Sequence, residues 1–187
     1  MAHAVIATFD PAAEHQVRAL WAVLANNDID SSMTALGVAP HLTLAVYDDA
    51  MEGPLIGRVS DFGARTAPFG IAFDRIDMFE GRESVLFLAP QASPRLRKLH
   101  EGFHDHAFGT GTCHDHYRPG AWVPHATLAM AMRKKQMRRA ADLFDGTFET
   151  IAARLVGLQI VRFRPAVRFE SVAVVHRAPF GGKVATG

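Results

Sequence analysis

An internal repeat constrains this chain more than any other feature of it. Pro40-His41-Leu42-Thr43-Leu44 returns in the second half as Pro124-His125-Ala126-Thr127-Leu128. The surroundings repeat too. An apolar strand-like run, a helical stretch and a polar loop precede the first copy (Ala4 to Phe9, then from Pro11) and the second (Val85 to Ala89, then from Ser93). After each copy a helical or irregular segment leads into paired apolar runs, Phe69 to Phe79 with Val85 to Leu88, and Leu155 to Phe163 with Val172 to Val175. Such a repeat predicts an α+β protein of two pseudo-twofold-related lobes, each an antiparallel-rich β-sheet with outer helices, around a central cleft.

Residues i and i+2 of a strand share a face. His41 therefore pairs with Thr43 on one surface while Leu42 and Leu44 face the other, and His125 pairs with Thr127 against Ala126 and Leu128. Bringing the lobes together about a twofold places two imidazoles and two hydroxyls in one cleft. That set suits phosphodiester chemistry. One imidazole takes a proton from water while the other gives one to the departing ester oxygen, and an ordinary histidine pKa of ~6.5 serves both roles. Threonine hydroxyls donate hydrogen bonds to the non-bridging phosphate oxygens. The scheme needs no metal or other cofactor.

Two H-x-T-L motifs, each preceded by proline, in matching places of an internally repeated chain resemble the 2H phosphoesterase superfamily. That superfamily includes bacterial RNA 2′,3′-cyclic phosphodiesterases, also called 2′-5′ RNA ligases, and small cyclic-nucleotide phosphodiesterases. The resemblance covers roughly residues 3 to 176 and implies His41, Thr43, His125 and Thr127 as the functional positions. His41 is assigned as the acid toward the leaving oxygen and His125 as the base on water. The implied reaction is opening of a 2′,3′-cyclic phosphate on an RNA 3′ end or a nucleotide, with reversible 2′-5′ RNA ligation as a side activity.

Family members often carry a basic or aromatic side chain near the cleft, which makes Tyr117, Arg118 and Trp122 candidate substrate-binding residues. Many relatives also have an arginine soon after the second motif. Here Ala129-Met130-Ala131-Met132 intervenes before Arg133, a departure that speaks against a preference for long RNA. Three other readings compete: a phosphodiesterase for another small cyclic nucleotide or a 2′-5′ oligonucleotide, a non-catalytic module that binds nucleotides or RNA ends, and a histidine-rich metal binder. The last rests on His104-Asp105-His106, His114-Asp115-His116, Cys113 and the i, i+4 pair His100 and His104. On a helix, i and i+2 do not share a face, so structural or solvated roles are expected for these histidines.

The rest of the chain reads from local signals. Asp10 with Pro11 is a helix start, followed by an apolar stripe of Val17, Leu20, Trp21 and Leu24. Trp21 belongs to the core. Asn26 to Ala39 is a polar loop, Leu55 to Phe62 a short helix, and a turn near Glu80-Gly81-Arg82 makes a hairpin. Ser93-Pro94 opens a helix with Leu96, Leu99, Phe103 and Ala107 inward, and Arg133 to Phe144 forms another with Met137, Ala140, Ala141 and Phe144 inward. The basic outer face of that last helix is solvated. Val167 to Val175 is the final strand. Residues 1 to 177 make one bilobal domain, and 178 to 187 a flexible tail.

Twenty basic and nineteen acidic residues leave a formal charge of +1 among 187 residues, too little for a track along duplex nucleic acid. No apolar run approaches the ~18 residues of a membrane span. The single cysteine, Cys113, excludes an internal disulfide, and no secretory signal is visible, which together favour a reducing cytoplasm. The expected partners are RNA 3′ ends or small cyclic nucleotides, with no membrane and no duplex DNA, bound by a monomer.

Overall fold

Residues 1–81, 84–164 and 172–181 are described in the computed structural model of the protein. The strands are β1 (Ala2–Phe9), β2 (His41–Tyr47), β3 (Phe69–Phe79), β4 (Ser84–Pro90), β5 (Ala126–Met132), β6 (Ile151–Phe163) and β7 (Val172–Pro179). The helices are α1 (Pro11–Asn26), α2 (Ser32–Ala35), α3 (Glu52–Arg65), α4 (Pro94–His106) and α5 (Lys134–Phe144). Expected and observed helices agree where side-chain caps and apolar spacing coincide. Asp10 accepts from the amides of Ala12 and Ala13, and Ser93 from that of Leu96. Val17, Trp21 and Leu24 are buried on α1, as are Leu96, Leu99 and Phe103 on α4. Two expectations about helices fail: Ala141 of α5 is exposed, with Leu143 packing on the core instead, and the stretch read as a polar loop from Asn26 to Ala39 contains α2, whose Met33 is buried.

The two lobes are halves of one antiparallel sheet with strand order β2-β1-β6-β3-β4-β5, β7 lying beside β6. The repeat explains the order. Each half contributes a central strand and a motif strand (β1 with β2, β4 with β5), and the strand after the following helix crosses to the other half: β3 pairs β4, and β6 pairs β1. Long β6 joins the lobes, pairing β3 through Ile151–Leu155 and β1 through Leu155–Phe163. The motif strands β2 and β5 are consequently the two ends of the sheet order.

One face of the sheet carries the helices. Val5, Ala7, Leu42, Leu44, Leu86, Leu88, Leu128 and Leu155 pack there with the buried stripes of the long helices in a single core. The other face holds the motif histidines and a smaller apolar cluster of Ala4, Ile6, Val38, Val46 and Val161. In both motif strands the register slips after the threonine: Ile6 pairs Thr43 but Val5 pairs Ala45, and Phe87 pairs Thr127 but Leu86 pairs Ala129. A β-bulge thus sits at Leu44 and at Leu128, keeping both leucines in the core while re-aiming the residues after them. Val46 then turns back to the cleft side.

The first residues of the tail expected from Ala178 are held in the fold. Ala178 and Pro179 continue β7, and the amides of Phe180 and Gly181 donate to Val156 (2.8 Å) and Gly63 (3.2 Å). Ala178 lies against Gly63 of α3, where an added Cβ would stand 3.0 Å from the alanine methyl. Ladder pairing and burial of Phe180 outweigh the Pro and Gly content that suggested fraying. Residues 182–187, and the start of the strand expected from Val167, lie outside the described residues.

Candidate active site

Proline 40 and proline 124 do more than mark strand starts. A residue before proline is held in extended conformation, and this aims the carbonyls of Ala39 and Val123 at the histidines two places on. Nδ1 of His41 donates to Ala39 at 2.6 Å and Nδ1 of His125 donates to Val123 at 2.8 Å. A carbonyl only accepts, so the proton on Nδ1 is fixed and Nε2 of each ring is the atom left for chemistry. His41, Thr43, His125 and Thr127 line one cleft of about 600 Å³. The sequence pattern expected this convergence of four.

Electrostatics reflect how near the rings are. Burial lowers His41 below the ordinary histidine value; the Ala39 carbonyl opposes that, and the charge of His125 lowers it further. Burial also lowers His125, against the pull of the Val123 carbonyl. Phe79 meets the His125 ring edge-on at 5.1 Å and Phe87 lies 5.4 Å away, so two phenylalanines box this imidazole. Beside His41 the lining is aliphatic at its base. There the cleft is floored by Ala4, Ile6, Val46 and Val161 and walled by Tyr117 and Val38.

The three candidate binding residues separate. Tyr117 lines the cleft. Arg118 turns away from it: Nε donates to the Cys113 carbonyl (3.1 Å) and the guanidinium pairs with Asp115 (3.2 Å), which fixes the loop on itself. Trp122 does not line the cleft either. Its ring stacks on His100 with centroids 4.0 Å apart and planes 1° from parallel, and its indole N–H donates to the Thr43 carbonyl at 2.8 Å. Trp21 does the same from the other half, donating to the Thr127 carbonyl at 3.0 Å. Each half's indole holds the threonine of the other half's motif.

The loop from Gly109 to Val123 closes over the β2 edge. An edge strand, and a bulge within it, leaves carbonyls without ladder partners. The Leu44 carbonyl accepts from Nε2 of both His100 (3.2 Å) and His104 (3.1 Å), and that of Val46 accepts from the amide of His114 (2.9 Å). Four of the five histidines that suggested a metal therefore have other partners: beside the Leu44 contacts of His100 and His104, His100 also donates to the Tyr117 carbonyl (2.9 Å), His106 contacts Arg65, and His114 pairs with Asp48 at 2.8 Å. Among the described residues, no three His, Cys, Asp or Glu side chains gather as a metal site.

Burial, and then the neighbouring His104, push His100 down to about 4, while its carbonyl partners pull the other way. A folded-state value below the unfolded one binds fewer protons when folded. The contribution to stability is whole above about pH 6.5 and is lost as pH falls toward 4. We expect about 2 kcal/mol of stability to disappear over that window, allowing for partial solvent screening. Denaturant unfolding at pH 7 and pH 4.5 reads this share together with those of His41, His104 and His125, which are lowered too, and the difference should shrink by the His100 share in His100→Gln.

Sequence reasoning missed several cleft residues. His114 reads as one of the loop histidines, yet it lines the cleft at its mouth with Asp48 behind it. Met33, Leu36 and Val38 line the cleft from a segment that reads as a polar loop. Their apolar spacing was the available signal, masked by Asn26, Asn27, Asp28, Asp30 and two serines around it.

Comparison with known proteins agrees with this architecture. The family model of the 2'-5' RNA ligase superfamily matches residues 9–166. Apo E. coli LigT superposes with a TM-score of 0.65 at 14% identity, over 95% of this chain and 96% of that one. TT0787 of Thermus thermophilus gives 0.60 at 18% identity, over 98% and 100%. E. coli LigT complexed with 3'-AMP gives 0.60 at 17% identity, over 96% and 99%. No curated protein sequence matches. At such identities the likeness is one of fold, while the family model spans most of the chain. The strand-exchanged repeat, the paired H-x-T motifs and the match from residue 9 to residue 166 place this chain in the 2'-5' RNA ligase superfamily of 2H phosphoesterases.

Proposed function

We propose that the protein is a metal-independent phosphodiesterase that opens 2′,3′-cyclic phosphates on RNA ends or nucleotides by two-histidine acid and base catalysis. The observation that carries the reading is the matched pair of Nδ1–H to carbonyl bonds, at His41 and His125, in one cleft with two threonines. In hydrolysis Nε2 of His125 takes a proton from water, and the water oxygen bonds to phosphorus. The bond from phosphorus to one ribose oxygen breaks, and the proton on Nε2 of His41 goes to that oxygen. Each carbonyl behind Nδ1 favours the imidazolium when it forms. The hydroxyls of Thr43 and Thr127 donate to the non-bridging oxygens as their charge builds. With a 5′ hydroxyl in place of water as the nucleophile, the same sequence opens the cyclic phosphate into a 2′-5′ phosphodiester and frees the other ribose hydroxyl, which is the ligation that the family name describes; its reversal cleaves that linkage and closes the ring again. That LigT was solved with 3'-AMP supports a nucleotide in the cleft.

The test is turnover, in chelator, of a 2′,3′-cyclic mononucleotide, a short RNA with the same end and a 2′-5′-linked dinucleotide. Cyclic phosphate opening is expected, and binding of all three without turnover would reduce the protein to a nucleotide-binding module. The same assay reads pH. The base must be neutral and the acid protonated, so kcat/KM rises through one histidine pKa and falls through the other. Both are lowered in the free protein. The maximum of kcat/KM is therefore expected below about pH 6.5. A bound phosphodiester anion favours the protonated acid, so the kcat profile should extend further toward neutral pH.

A further inference from the structure

Beyond the four motif side chains, the floor on the His41 side is aliphatic, made of Ala4, Ile6, Val46 and Val161 at 1% to 8% exposure, and Tyr117, His114 and Phe163 also line the cleft. Among the described residues no lysine or arginine lines the cleft. Three basic side chains of other segments have partners of their own. Arg118 is tied to Cys113 and Asp115, Arg139 on α5 donates to the carbonyls of Asn27 (2.6 Å) and Asp28 (3.3 Å), and His114 at the mouth is held by Asp48. On the His125 side the corresponding space is filled by Phe79 and Phe87. The opening next to the phosphate position is therefore apolar, and it lies on the His41 lobe.

Resting on the phosphodiesterase reading, we propose that the substrate carries a single phosphate and an uncharged, apolar or aromatic group, which lies in the pocket floored by Ile6, Val46 and Val161. The charge balance among the described residues supports it. One protonated histidine offsets one phosphodiester anion. A second phosphate over that floor would meet aliphatic side chains with neither charge nor donor, a costly placement for an anion. An apolar group is instead held by transfer from water. The floor also offers no hydrogen-bonding group to read a base edge, which leaves Tyr117 and His114 as the polar side chains of the lining outside the motifs. The volume, about 600 Å³, is that of a small-molecule site.

Two measurements on the full chain test this, one of them independent of turnover. By calorimetry, phenyl phosphate should bind at least about tenfold more tightly than methyl phosphate, which has the same charge and lacks only the apolar group. The margin should shrink to less than about threefold in Ile6→Ala/Val161→Ala, provided that variant unfolds cooperatively; Val46→Thr, a near-isosteric change, should also reduce it. In turnover, a nucleoside 2′,3′-cyclic phosphate should exceed both glycerol 1,2-cyclic phosphate and the same nucleoside bearing a further 5′-phosphate by about tenfold in kcat/KM. Equal binding of phenyl and methyl phosphate would overturn the pocket. So would a preference for a longer RNA that weakens steeply with salt, since that marks contacts to further phosphates. Preferential phenyl phosphate binding with no turnover of any cyclic phosphate would instead leave the pocket standing and defeat the catalytic reading.

Discussion

His41→Ala and His125→Ala will each lower kcat/KM toward a 2′,3′-cyclic phosphate by about a thousandfold or more, and the double variant will be little worse than either. The two rings act in one event: without a base the water is not activated, and without an acid the leaving alkoxide is not neutralised. Removing the second ring after the first takes away little that still works. Neither substitution should unfold the protein, since both rings lie at the cleft and the leucines beside them carry the packing. Circular dichroism and thermal unfolding check that. The roles are separable with a phosphodiester whose leaving group is 4-nitrophenolate, which departs without protonation. If His41 is the acid, His41→Ala keeps most of its activity on that substrate and His125→Ala loses it. Retention of cyclic phosphate opening within about tenfold of wild type, by either folded variant, would disprove the shared mechanism.

How the sequence and the structure relate here depends on the range of each interaction. The Asp10 cap, the α4 stripe and the hairpin of β3 and β4 are set by residues close to one another in the chain, and they stand where local patterning puts them. The four motif residues lie far apart in the chain, but the repeat made them legible, because a twofold relation turns two local patterns into one spatial statement. What stayed hidden depends on partners that the pattern does not name. The bulges at Leu44 and Leu128 arise from pairing with β1 and β4. The crossing of β6 to β1 makes one sheet of two lobes, which a repeat alone leaves open.

Arg118 and Trp122 illustrate the same limit. Both sit in the loop ahead of the second motif, and both have side chains suited to a nucleotide. One is taken by a carbonyl and an acid of its own loop, and the other by a histidine and the β2 edge. Among the residues of that loop, Tyr117 and His114 reach the cleft. Residue type alone does not distinguish these fates; the carbonyls left unpaired along the β2 edge do. An edge strand that must be covered recruits donors, and an indole and two imidazoles are the donors at hand.

Trp21→Phe and Trp122→Phe are expected to lower kcat by about 10- to 100-fold with KM changed less than about threefold. Phenylalanine keeps most of the aromatic bulk in each place and removes the N–H that bonds the Thr127 or Thr43 carbonyl. A lost hydrogen bond of this kind costs about 1 to 3 kcal/mol in stability if the carbonyl is left dry. The catalytic cost has a separate origin. The two indoles cross from one half to the other and grip the motif strands at the threonines, just past each histidine, so they fix the spacing between His41 and His125. A displacement near 1 Å in such a pair costs about a hundredfold in rate. If both indoles set one spacing, the second substitution adds little to the kcat loss once the first is present, while their effects on thermal stability still add. A lowered Tm with kcat unchanged would make the tryptophans packing residues only. Independent, multiplicative losses in kcat would mean that each indole orients its own threonine and that the distance between lobes is held elsewhere.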